Sequence, residues 1–221
     1  APPAPMACEL RVIVWDTKEV VFKDEKMSDI FVSCYPEGIK PQFTDVHWRS
    51  EDHSGEFNWR MKFPMVLPYP TPRLKVQIWD KDVTNPDDAI GEAVVNLKPF
   101  FKKFYEKKSD RESLPKQYLT LTKTGETGVQ GKVQLTIELM TEEESKRRPA
   151  GLGRGEPNAN PFLDKPNRPE TSFSWWRMDK LGKLMAIKAW RANRWKVYLC
   201  CCICVVILVI VIIIYVKTIL P

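Results

Sequence analysis

Residues 131–140 read Gly-Lys-Val-Gln-Leu-Thr-Ile-Glu-Leu-Met, and this stretch decides the fold. Val133, Leu135, Ile137 and Leu139 face one way, and Lys132, Gln134, Thr136 and Glu138 face the other. That period of two is the mark of a half-buried strand. The same signal recurs towards the N-terminus. LRVIVWD (10–16), DIFVSCY (29–35), TDVHW (44–48), FNWRMKF (57–63), RLKVQIWD (73–80), AIGEAVVNL (89–97) and QYLTLT (117–122) are all rich in Val, Ile, aromatics and Thr. Turn residues separate them, as at Pro36-Glu-Gly38, Ser54-Gly55, Pro68 to Pro72 and Thr124 to Gly128. Pro99 to Lys108 has the pattern of a short amphipathic helix between strands. Eight short strands at this spacing predict an all-β, eight-stranded antiparallel sandwich.

Past Met140 the composition changes. EEESKRR is followed by a Gly-rich stretch and then by Pro157, Pro161, Pro166 and Pro169, which predicts an extended linker. Residues 197–216 then read VYLCCCICVVILVIVIIIYV, with no charge, Pro or Gly. A helix of that length spans roughly 30 Å, the thickness of a bilayer's hydrocarbon core. The preceding residues 177–196 carry seven basic side chains against Asp179 alone, a local charge of +6 that equals the formal net charge of the whole chain. Only Lys217 to Pro221 follow the span. The positive-inside rule therefore predicts a single-pass C-terminal anchor with the N-terminal bulk in the cytoplasm. Most of the basic residues fall on one helical face, among them Lys180, Lys183, Lys188, Arg191 and Arg194, which suits contact with anionic lipid.

Cysteine usage agrees with a reducing compartment. Four of the six Cys lie in the apolar span, and only Cys8 and Cys34 fall in the strand-rich part. Cys200, Cys201 and Cys202 are candidates for S-acylation, or are simply small apolar residues. The Pro-rich opening Ala1-Pro-Pro-Ala-Pro5 reads as a linker from upstream domains. The expected organisation is linker 1–8, sandwich 9–141, linker 142–176, basic segment 177–196, span 197–216 and extracytoplasmic tail 217–221.

Acidic residues gather in two inter-strand segments: Lys23-Asp24-Glu25-Lys26-Met27-Ser28-Asp29, and Asp80-Lys-Asp82-Val-Thr-Asn-Pro-Asp87-Asp88. Asp80 and Asp82 point to one side of a strand end, and Asp88 returns from the far limb. If both segments share one end of the sandwich, their carboxylates converge and repel unless a hard cation lies between them. Ca²⁺ accepts several oxygens in flexible geometry, whereas Mg²⁺ demands a tighter octahedron. Nothing points to catalysis. The two His, His47 and His53, sit in a strand and a turn, and no nucleophile–base pair, Gly-rich phosphate loop or zinc spacing is present. Nucleic-acid binding is not expected either, because the basic excess adjoins the apolar span.

SDIFV (28–32) followed by WDKDVTNPDDAIGE (79–92) resembles the calcium-binding loops of a C2 domain, with Asp80, Asp82, Asp88 and Gly91 at the spacing D-x-D-x5-D-x2-G. That resemblance implies Ca²⁺ ligands at Asp24, Asp29, Asp80, Asp82 and Asp88. It also implies that the bound ion completes its shell with lipid phosphate oxygens. Val21, Phe22, Met27 and Val83 are then expected to press into the headgroup region. LRVIVWDTKEV, TDVHWRS, GEFNWRMKFP and RPETSFSWW, placed before a terminal anchor, resemble the last C2 domain of a ferlin. The ferlin resemblance implies a tail-anchored, multi-C2 protein of vesicle and plasma membranes, acting in calcium-triggered fusion, trafficking or repair. Its partners would be anionic phospholipids and upstream C2 domains of the same chain. Two departures stand out: only LPYPTPR precedes RLKVQIWD, where many ferlins carry a charged insertion, and the tip Val83 to Pro86 is less apolar than in deeply inserting C2 domains. A calcium-independent C2 module that docks proteins is the alternative.

Overall fold

The computed structural model describes residues 4–22, 28–82 and 86–168. The chain divides into two compact units, Ala1–Ser172 and Phe173–Pro221. The second, with the expected span, lies outside the described residues. Among those described, no helix is long and apolar enough to cross a membrane.

The strands are β1 (Met6–Lys18), β2 (Ser28–Pro36), β3 (Gln42–Phe43), β4 (His47–Ser50), β5 (Gly55–Leu67), β6 (Arg73–Asp80), β7 (Asp88–Asn96), β8 (Arg111–Leu121) and β9 (Gly131–Thr141). One sheet runs β5-β1-β9-β8, the other β3-β2-β6-β7 with β4 also on β2, and the strand pairings among the described residues are antiparallel. This is an all-β antiparallel sandwich. It has nine described strands, not eight, because the run expected at 44–48 is split. Gln42–Phe43 and His47–Ser50 each pair with a different part of β2, at Cys34↔Gln42 and Ile30↔His47.

The alternation read in the sequence becomes the core. Val133, Leu135, Ile137 and Leu139 of β9 are buried with Leu10, Val12 and Val14 of β1, facing Val76 and Ile78 of β6. Each such side chain contributes about 1.5–3 kcal/mol by leaving water. Helix α1 (Lys98–Lys107) packs onto this core, with Phe100, Phe101 and Phe104 buried and Pro99 in its first turn. Pro is tolerated there because the first N–H groups of a helix have no intrahelical partner.

Over 142–168 the structure differs from the extended linker expected. Glu142–Arg147 form helix α2, with the Thr141 side chain accepting from the Glu144 N–H. The following residues then lie along the outer edge of β5. Arg60 and Gly153 exchange both backbone hydrogen bonds across that edge, at 3.3 and 2.8 Å. The buried Arg60 guanidinium donates to the carbonyls of Gly151 and Pro161. Lys62 Nζ donates to Ala150 O, and Arg154 donates to Phe57 O and pairs with Asp45. Leu163 is 1% exposed. A composition rich in Pro and Gly suggests a free tether. Here it lets a chain without regular structure follow an edge strand whose N–H and C=O groups need partners. Gly153, at φ +60, lies so close to β5 that a Cβ would stand 2.8 Å from Trp59 Cζ2.

Candidate functional site

Strand register decides whether the two acidic segments meet. β1 ends at Lys18 and β2 begins at Ser28, while β6 ends at Asp80 and β7 begins at Asp88. Ile30 lies opposite Asp80, and Asp80 lies opposite Asp88. Both acidic segments therefore open at the same pole. Four of the five expected ligands (Asp29, Asp80, Asp82 and Asp88) stand there. Asp24, Met27 and Val83 lie outside the described residues, as do Lys180, Lys183, Lys188, Arg191, Arg194, Cys200, Cys201 and Cys202.

Asp80 continues the inward-facing series Leu74, Val76 and Ile78 and is 8% exposed. Its Oδ1 accepts the Asp29 N–H at 2.8 Å. The Asp29 carboxylate in turn accepts the Arg49 N–H of β4 at 2.6 Å, and the Asp29 carbonyl accepts the Lys81 N–H at 2.7 Å. These bonds lock the start of β2 to the end of β6. Asp88 is exposed at the mouth. Gly91, the last residue of the spacing read in the sequence, follows a bulge that places Ile78 opposite Gly91 and Trp79 opposite Ala89. A Cβ on Gly91 would meet Gln130 Cβ at 2.8 Å and Leu121 Cβ at 3.3 Å. Glycine is required at this position by the closeness of the facing residues.

Register also exposes what the sequence reading passed over. Because Asp88 lies opposite Asp80, Asp87 falls on the other side of the loop, with Lys81. Lys81 Nζ lies 3.0 and 2.9 Å from the two Asp87 oxygens and 5.9 Å from the Phe31 ring centroid. The Asp82 N–H donates to Asp87 Oδ1 at 3.2 Å. The doublet Asp87-Asp88 is visible in the sequence, but which member pairs with Lys81 depends on the register.

The apolar residues beside the first loop are held in place. Val20 N–H donates to His53 O and Val21 N–H to Gln130 O. Val21 is 38% exposed, whereas the Phe22 ring stacks on His53 at 3.9 Å between centroids.

The donor chemistry at this pole suits a hard cation, since every candidate ligand offers carboxylate oxygen. The gathering is incomplete: among the described residues no three His, Cys, Asp or Glu side chains form a group that could hold a metal ion.

An antiparallel sandwich with paired acidic loops at one pole is the architecture of a C2 domain, and the C2-domain family model matches residues 8–115. The model described as the ferlin C-terminus matches residues 86–220. The chain belongs to that family of ferlin C-terminal regions. Myoferlin of Homo sapiens is 36% identical over 241 residues, covering 85% of this chain and 12% of its own length. Myoferlin of Xenopus tropicalis is 35% identical over 237 residues, covering 84% of this chain and 12% of its own length. The chain thus spans only a small part of the relatives it matches. Among solved structures, a C2 domain of plant Extended Synaptotagmin 1 aligns with a TM-score of 0.47 at 19% identity, covering 63% of this chain and 98% of that one. A structure of Extended-Synaptotagmin 2 that holds its SMP domain and a pair of C2 domains gives 0.46 at 21%, covering 63% of this chain and 28% of that one.

Proposed function

We propose that the acidic pole binds Ca²⁺ and, through it, anionic phospholipid. The domain would serve a tail-anchored, single-pass protein of vesicle or plasma membranes, with its bulk in the cytoplasm, acting in vesicle trafficking, membrane fusion or membrane repair. One observation carries this reading: the register Ile30↔Asp80↔Asp88 brings both acidic segments to one end. Asp29, Asp80, Asp82 and Asp88 would hold the ion together with Asp24. The bound ion would offset their mutual repulsion and add positive charge beside the exposed Val21. The basic face at Lys180, Lys183, Lys188, Arg191 and Arg194 would add anionic-lipid contact, with each charge near the surface worth about 1 kcal/mol. Interaction with upstream C2 domains and acylation of Cys200, Cys201 and Cys202 belong to the same reading.

Cosedimentation of residues 1–172 with phosphatidylserine vesicles across a calcium titration tests it. Binding should rise with calcium and fall at least tenfold in Asp80→Asn/Asp82→Asn, the loss expected when about 1.4 kcal/mol is removed. Identical binding by that variant would sink the reading. The Lys81–Asp87 pair and the Arg49 N–H on Asp29 favour a second reading, a calcium-independent C2 module that docks proteins at the membrane. Calorimetry showing no calcium uptake by the unaltered domain would select it.

A further inference from the structure

We propose that Lys81 is a resident counter-charge that lowers calcium affinity at the acidic pole, and that the charge of its ion-pair partner, Asp87, opposes that effect. The inference rests on the calcium reading above and assigns two residues that the family spacing leaves unassigned. Lys81 lies between Asp80 and Asp82 in sequence, and its N–H is bonded to the Asp29 carbonyl, so its backbone is fixed among three expected ligands. Its ammonium is held by both Asp87 oxygens and lies near the Phe31 ring. Asp87 also receives the Asp82 N–H, so one carboxylate ties the cation to the loop that carries the ligands.

The ion pair can influence the ligands in two ways, and their signs differ. As a charge, the ammonium repels an arriving dication, while Asp87 attracts it. As a clasp, the pair joins the two limbs of the loop and pre-arranges the ligands. Lys81 and Asp87 side chains are 40% and 27% exposed, and a pair that wet contributes little as a clasp. A full charge carried between Asp80 and Asp82 in the chain acts on a doubly charged ion even without contact, because Coulomb energy falls only as the reciprocal of distance. The charge effect therefore dominates.

Isothermal titration of calcium chloride into the detergent-solubilised 221-residue chain separates the two. Lys81→Met should bind calcium several-fold more tightly than the unaltered chain, and Asp87→Asn several-fold more weakly, although both break the same ion pair. Lys81→Arg, which keeps charge and pairing, should match the unaltered chain. Uptake by Lys81→Met alone would also support the proposal, since the counter-charge would then exclude the ion outright. Weaker binding by both Lys81→Met and Asp87→Asn would show a clasp and overturn the proposal. Unchanged affinity in Lys81→Met, with the unaltered chain binding calcium, would overturn the proposal and leave the calcium reading standing. No uptake by any of the four, all with native near-UV circular dichroism, would overturn both.

Discussion

At the scale of single residues, His47 is where the fold meets pH. It is 4% exposed, and its Nδ1 accepts the Glu56 N–H at 3.0 Å, so the ring is neutral with its proton on Nε2. Burial first, and the Arg168 charge second, push its pKa below the ordinary 6.5. Well above pH 6.5 both folded and unfolded forms carry a neutral ring, and the shift has no effect. As pH falls through 6.5, the unfolded chain takes up a proton that the folded chain resists, so stability is lost. The urea midpoint of residues 1–172 should therefore drop between about pH 7.5 and about pH 5, and the drop should shrink in His47→Gln. An identical pH slope in the variant would discount the histidine. Cys34 is buried, and burial pushes its thiol up; Cys8 is pushed up to about 11. Neither thiol is poised to react. The sequence revealed Asp80, Asp82 and Asp88 because strand periodicity fixes their side. It hid Lys81–Asp87, because a pairing across a loop is set by register, which a single sequence does not encode locally.

At the scale of elements, the edge of β5 is the clearest lesson. Its outward groups are met one after another: Glu56 O by Arg168, Phe57 O by Arg154, Arg60 by Gly153, and Lys62 by the Gln42 side chain at 2.5 and 3.1 Å. Pro64 then offers no N–H at all. Arg168 also forks onto Asp45, with its guanidinium 5.6 Å from the Phe57 ring centroid. Two substitutions test whether this cover stabilises the domain. Gly153→Ala should cost about 2–4 kcal/mol, since the new Cβ clashes with Trp59 at a backbone angle that disfavours side chains. Arg60→Met should cost about 3 kcal/mol, because the Gly151 and Pro161 carbonyls lose charged donors. Chemical unfolding of residues 1–172 measures both, and a loss under about 0.5 kcal/mol in each would mean the strap is merely resting on the sheet. The strands were legible because hydrophobic alternation is a local signal. The strap was not, because its stabilising contacts lie far away in sequence: Arg60 to Pro161 spans 101 residues and Arg168 to Asp45 spans 123. Composition alone gives Pro- and Gly-rich tethers and Pro- and Gly-rich edge covers the same appearance.

At the scale of the whole molecule, the cover changes what counts as the domain. The sandwich read from the sequence stops at residue 141, and the folded structure continues to Arg168. A fragment of residues 1–141 should melt about 10 °C or more below residues 1–172, the shift expected when several kcal/mol is lost from a domain this size. Scanning calorimetry and size-exclusion chromatography would check this; equal melting points and a monomeric short fragment would refute it. The antiparallel sandwich and the helix near residue 100 were legible in advance, from periodicity and from a Pro-initiated amphipathic run. That the acidic segments share a pole was a condition in the sequence, and the register Ile30↔Asp80↔Asp88 meets it.

Trimming this polypeptide where its last strand stops would uncover the part of the β5 ladder of amides and carbonyls that Gly153, Arg154 and Arg168 now meet. Such a ladder recruits strands from other copies, so preparations cut there would be prone to stack into insoluble assemblies. A well-behaved piece for biophysics should be cut beyond Arg168. Comparisons of vesicle binding between shorter and longer pieces would otherwise mistake clumping for affinity.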